Sequence, residues 1–170
     1  MHLSRSKISF LALLVAVSVC LPIQSRAAYN SFLSITGISG PATNNLIPIL
    51  SYSFGLSAAG NNPNFSDVSV LKTLDLTSPL LAFQCANAQT NATAVLTVVH
   101  STSGNAIYTV TLNNVAISSY QISGSSELPT ESLSLTYTAI TWTYQALDGS
   151  GNKVGPEVTH NWNIMTHSGG

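Results

Sequence analysis

Beyond its N-terminal segment, this 170-residue chain has few side chains that could carry acid–base, nucleophilic or metal chemistry: His100, His160, His167, Cys85 and six carboxylates. Their spacing gives each a bland reading. The histidines lack the His-Glu-x-x-His pattern of a zinc site and have no paired cysteines beside them. His160 falls in an alternating stretch and reads as a structural residue, and with His167 it could form only a weak surface metal site. Glu127 and Glu131 could be a general acid and base, but nothing around them isolates one carboxyl or raises its pKa, so a structural role is expected. Gly37-Ile38-Ser39-Gly40 lacks the second spacer residue of a nucleophile elbow and reads as a turn. Asp148-Gly149-Ser150-Gly151-Asn152 lacks the further carboxylates and closing Glu of a calcium loop and reads as a hairpin turn. Cys85 lies in an apolar run without neighbouring cations, the setting of a buried, inert thiol. Trp142, Tyr144, Trp162 and Tyr137 could line a sugar platform, although aromatic residues alternating along strands are usually core. No Gly-rich phosphate loop occurs, and Asn64-Phe65-Ser66 and Asn91-Ala92-Thr93 match the glycan-acceptor pattern, a three-residue signal of low specificity. The expectation is a non-enzymatic protein without cofactor or metal.

The composition narrows the class further. Only 6% of residues are charged, against roughly 25% in an average soluble domain, while 45% are hydrophobic. Disorder throughout and a basic nucleic-acid-binding surface are both excluded by that balance. Ser, Thr and Asn make up about a third of the chain. A polar but uncharged surface favours strands and loops over long solvated helices.

Part of the apolar content belongs to a leader. Residues 1–7 form a short basic stretch, Ile8 to Val19 an apolar run, and Ser25-Arg26-Ala27-Ala28 a small-residue site. The run is too short for a spanning helix, which needs about 20 residues, and fits a secretory signal cleaved after Ala27. Cleavage after Ala28 and lipidation at Cys20 are alternatives, and so is an uncleaved apolar anchor. Removal would leave Lys72 and Lys153 against six carboxylates, a net charge of −4, and Cys85 without a disulfide partner. Such a protein would be secreted or periplasmic, with no stable membrane insertion after cleavage.

The remainder, residues 28–170, reads as one mainly β domain whose compact part ends near residue 166. Tyr29 to Ile35 alternates and stops at Gly37, opening a long loop to Asn45. Leu50, Tyr52, Phe54 and Leu56 alternate with small residues and predict one buried strand face. Ala58 to Phe65, rich in Gly, Asn and Pro, predicts a turn. Strands are expected at Val68–Leu76, Ala94–His100, Ala106–Leu112 and Val115–Ile122, with one helix opened by Thr77-Ser78-Pro79 and running through Leu80–Ala86. From Leu133 to Tyr144 the apolar phase switches near Thr138-Ala139, which predicts a bulge or a passage between sheets. A final strand covers Val158–Ile164, and Ser168-Gly169-Gly170 is expected to fray.

Four stretches in this order resemble the haemolysin-coregulated protein (Hcp) family, the tube subunits of type VI secretion. They are Phe32 to Ile38, Leu50 to Gly55, the Ser78-Pro79-led helix to Ala86, and Glu127-Leu128-Pro129-Thr130-Glu131 continuing through Tyr137 to Trp142 and Tyr144. The resemblance implies two antiparallel sheets in a barrel-like or sandwich body with one helix at its side. It also implies a homo-hexameric ring, stacking of rings into a hollow tube, and effector proteins carried in the lumen. Leu128, Pro129, Thr130, Glu131, Trp142 and Tyr144 would be structural motif residues. The loop bearing Gly37, Ser39, Gly40, Pro41, Asn44 and Asn45 would reach a neighbouring ring. Independently of the family, Pro129 restricts Leu128 to extended geometry and presets its own φ. Few Lys or Glu are present to blunt strand edges, which favours contact between subunits.

Overall fold

The computed structural model describes residues 28–59, 62–124 and 127–170; the leader and the expected cleavage site at Ala27 lie outside them. Strands β1 (Tyr29–Ile35), β2 (Ile47–Ile49), β3 (Ser51–Ser53), β4 (Leu56–Ala59), β5 (Asn62–Phe65) and β6 (Val68–Thr73) precede helix α1 (Ser78–Ala86). Strands β7 (Thr90–His100), β8 (Ala106–Ser123), β9 (Thr130–Thr136), β10 (Ala139–Tyr144), β11 (Val158–Asn163) and β12 (Ser168–Gly169) follow. Every pairing is antiparallel.

Strand β8 is the spine of the molecule. Its first half lies between β7 and β10, and its second half pairs with β9. One layer continues from β7 to β1 and β2, and from β10 to β11 and β12; the other continues from β9 to β6 and β3. The layers meet along β8, which has a register shift between Ile117 and Ser119, and at the kink between β2 and β3. The body is therefore barrel-like without an unbroken closed ladder. The fully buried core comes from both layers, Leu33, Leu96, Val110, Leu112 and Ile140 facing Val68, Val70, Leu133 and Leu135, with Leu81 from α1. These are the inward positions of period-two strands, which is why alternation predicted them.

The apolar phase switch at Thr138-Ala139 is a change of partner. Before it β9 pairs with β6, and after it β10 pairs with β11. Other expectations need correction. Leu50 and Leu56 are 59% and 55% exposed, and only Tyr52 and Phe54 of that face are half-buried, because the chain kinks at Leu50 and the inward positions here are Ile47 and Ile49. The Ala58–Phe65 turn is instead the greater part of the β4–β5 hairpin, a separate two-stranded sheet. Strands 106–112 and 115–122 are one strand, since Asn114 takes a positive φ of 49° and absorbs the irregularity without ending the ladder. Ser168 and Gly169 do not fray but pair with Asn163 and Trp162. Thr77 precedes α1 without capping it: its hydroxyl donates to Asp75 Oδ1 at 2.6 Å.

Candidate functional site

Three groups of residues stand out, a buried polar cluster, the Gly37–Asn45 loop and an aromatic groove. The first is built by register. Lys72 and Glu131 are directly opposed on β6 and β9, in the inward phase set by Val68 and Val70 and by Leu133 and Leu135. Both side chains are fully buried. Lys72 Nζ donates to Glu131 Oε1 at 2.5 Å and to the Thr73 carbonyl at 3.0 Å, and it lies 3.0 Å from Asp75 Oδ1. Those three nearest partners match the three donors of an ammonium group, with Ser78 Oγ farther away at 3.5 Å. Tyr120 donates its hydroxyl to the other Glu131 oxygen at 2.5 Å.

The cluster shifts two titrations. Burial and then the hydrogen bond to the Glu131 carboxylate push the Tyr120 phenol well above its ordinary range. Burial alone would raise Asp75, but the Thr77 hydroxyl and N–H together with Lys72 outweigh it and hold the carboxyl below its usual value. The Asp75 N–H donates to Ser78 Oγ at 3.0 Å, tying the start of α1 to the same cluster. Of the two candidate acid–base carboxylates, Glu131 is fully buried with both oxygens accepting hydrogen bonds from neighbours in the fold, whereas Glu127 is exposed.

Of the remaining motif residues, Leu128 is 65% exposed, while Pro129 is half-buried and accepts the Leu74 N–H at 3.0 Å. Thr130 opens β9 opposite Thr73 and Ser123. Gly37, Ser39, Pro41, Asn44 and Asn45 are exposed and Gly40 is half-buried. The loop folds on itself through Gly40 N–H to the Asn45 carbonyl at 2.9 Å and Ala42 N–H to the Leu46 carbonyl at 3.0 Å. Asn44 and Asn45 both take positive φ, 61° and 59°, a conformation asparagine tolerates better than most residues.

Of the four aromatic residues that the sequence offers as core or sugar platform, Trp142 and Trp162 belong to the third group, at the rim of the core. Phe65 stacks on Trp142 at 6.3 Å between ring centroids. Together with Leu56, Ala58, Pro63, Trp162 and His167 they line a groove of about 690 Å³. Tyr144 stands apart from it and is 48% exposed, and Tyr137 instead donates to the Ser66 carbonyl at 3.1 Å. The Trp162 indole nitrogen is buried without a hydrogen-bond partner among the described residues. Cys85 is half-buried rather than buried as expected, and His160 lies exposed on β11. Among the described residues, no three His, Cys, Asp or Glu side chains converge as metal ligands, and no helix is long and apolar enough to cross a membrane.

A two-layer antiparallel body with one flanking helix, whose buried charges are held by neighbouring strands, defines the class as a mainly β scaffold. The model of the family described as "Type VI secretion system effector, Hcp" matches residues 32–144, and the chain belongs to that family. Solved structures with the same fold include one described as a type six secretion system protein, 23% identical with a TM-score of 0.76, covering 84% of this chain and 100% of that one. Hcp1 from Salmonella typhimurium is 19% identical at a TM-score of 0.74, covering 84% and 99%. A type VI secretion system effector from Yersinia pestis is 19% identical at 0.67, covering 79% and 99%. No protein of curated function is matched.

Proposed function

We propose that this chain is a non-enzymatic structural subunit that assembles with copies of itself into hexameric rings, which stack into a tube and carry effector proteins in the lumen. The observation that carries the reading is the family match across residues 32–144, which spans every layer of the barrel-like body. The Gly37–Asn45 loop, with Ser39, Gly40, Pro41 and Asn44, would supply a contact between rings. Leu128 to Glu131, Trp142 and Tyr144 would hold the barrel in the shape that such contacts require. The full-length chain, purified from whichever compartment it reaches, tests this by light scattering and negative-stain microscopy. Six-fold rings with an open lumen are expected; a monomer at high concentration would end the assembly reading.

A second reading rests on the apolar N-terminal segment. Residues 1–27, ending at Ala27, would direct the chain through general export, whereas family tube subunits assemble in the cytoplasm without a cleavable signal. Under this reading the protein is a free-standing exported binding module, periplasmic or secreted, not coupled to a contractile sheath. N-terminal sequencing of the exported form, in cells with and without an intact sheath, separates the two. Export that persists without the sheath favours the second reading.

A further inference from the structure

The inner face of the β10–β11 side runs out of cover. Directly opposed residues of an antiparallel ladder project on the same side, so three rows can be followed across the layer. In the row Leu33, Leu96, Val110, Trp142, His160 the first three are buried, Trp142 is half-buried and His160 is exposed. The row Ile35, Ala94, Leu112, Ile140, Trp162 stays buried as far as Ile140 and is half-buried at Trp162. The third row ends at Tyr144 and Val158, which are 48% and 51% exposed. The β4–β5 hairpin covers part of this face and leaves the groove of about 690 Å³.

We infer that this uncovered end of the core is the surface on which a second copy of the chain docks. The inference rests on the self-assembly proposed above and names its contact. The face continues the hydrophobic core without a break, and permanent interfaces between copies resemble a core cut in half. Its lining contains no carboxylate, amide, Lys or Arg, and His167 is its one ionisable side chain; a sugar would find few hydrogen-bond partners there, whereas an apolar protein surface would have little charge to desolvate. The chain offers surface of that kind elsewhere, at Leu76, Leu80, Phe83 and Leu128, all exposed. Ring contacts are heterologous, so the two apolar surfaces need not be the same. The unpaired indole N–H of Trp162 marks the same place as incompletely packed in a single copy.

The chain has two tryptophans, Trp142 and Trp162, and both line the groove, so intrinsic fluorescence reads it directly. The full-length chain with its own leader is purified and followed by light scattering and tryptophan emission as concentration rises. As mass grows, emission should move to shorter wavelength and acrylamide quenching should fall. Val158→Asp and His160→Glu, at exposed positions of β11, should raise the concentration for half-assembly by roughly tenfold or more with the melting temperature of the dilute protein unchanged. Assembly with unaltered emission and quenching, and with both variants assembling normally, would show that another face is used; that overturns this inference and leaves the ring reading standing. A chain that stays monomeric at every concentration overturns both. If 1-anilinonaphthalene-8-sulfonate quenches the tryptophans equally in monomer and assembly, the groove belongs to a small apolar ligand and the inference fails.

Discussion

Lys72 and Glu131 illustrate how a charged pair can be tolerated at inward positions of two strands. Each alone would be an uncompensated buried charge; together with Tyr120, Asp75 and the Thr73 carbonyl the group is satisfied. Removing one partner strands the other, so Lys72→Met or Glu131→Gln should each cost about 3–5 kcal/mol by denaturant unfolding. The double variant Lys72→Met/Glu131→Leu should cost clearly less than the two together, and additive losses would deny the coupling. Tyr120→Phe removes a bond to a charged acceptor and should cost about 1.5–3 kcal/mol. The titrations give signs at both ends of the pH scale. Asp75 is depressed in the folded state, so its contribution is present above the unfolded value, about 3.9, and is lost as pH falls through the folded one. Thermal melts below about pH 4 should therefore decline less in Asp75→Asn than in the parent. Tyr137 is pushed up to about 12 by burial and then by the Asp67 charge. Its contribution is complete below about pH 10 and is lost as pH rises through its folded value, a loss that Tyr137→Phe should reduce. The pair was legible in principle from Lys72 sharing the phase of Val68 and Val70 and Glu131 that of Leu133 and Leu135. Their separation by more than fifty residues hid it, because period-two reasoning finds an inward charge but not the strand that faces it.

At the scale of elements, alternation located β1, β6 and β9 but failed at Leu50 and Leu56, where the chain kinks, and wherever a turn residue sat inside a continuous ladder. Asn113-Asn114 reads as a loop, yet β8 runs through it, since Asn114 accepts a positive φ and cross-strand bonds to β7 and β10 outweigh local preference. The Gly, Asn and Pro residues of 58–65 likewise disguised a hairpin, and two residues beyond Thr166 proved sufficient to pair with β11. The Asp148–Asn152 turn was read correctly, and the structure adds what it leans on. Gly151 has φ +80°, and its carbonyl accepts from Ser103 Oγ and Asn105 Nδ2, both at 2.8 Å, in the β7–β8 turn. A Cβ at Gly151 would run into the His100 ring and Ser103 Oγ. Gly151→Ala should therefore lower stability by more than the roughly 1–2 kcal/mol of a left-handed residue alone, read as a fall in denaturant midpoint at constant slope. Gly40→Ala is the matching test in the other loop, because its Cβ would strike the Leu46 backbone carbonyl. Faster hydrogen exchange at the amides of positions 40 and 42 is expected there, with the β7–β8 ladder as protected as before.

For the whole molecule, sparse charge bears on how copies would recognise one another in the proposed assembly. Among the described residues Lys72 and Lys153 supply all of the Lys and Arg charge, and Lys72 is sealed inside the fold. Lys153 is exposed and faces a surface whose fixed charges are otherwise carboxylates. Among the described residues, a contact between identical subunits thus has one exposed Lys or Arg cation per copy to place, too few for an ionic interface. Exposed apolar side chains are plentiful by comparison, from Leu50 and Leu56 to Phe83 and Leu128. Screening should then matter little. Raising NaCl from about 0.05 M to about 1 M shortens the Debye length from more than 10 Å to about 3 Å, which would dissolve an assembly held by ion pairs. Here the concentration for half-assembly should change by less than about threefold, or fall, since screening also relieves repulsion among carboxylates. Sedimentation velocity across that salt range measures it. Loss of rings at high salt would place the contact at Lys153 and its acidic neighbours, and an apolar contact would have to be abandoned.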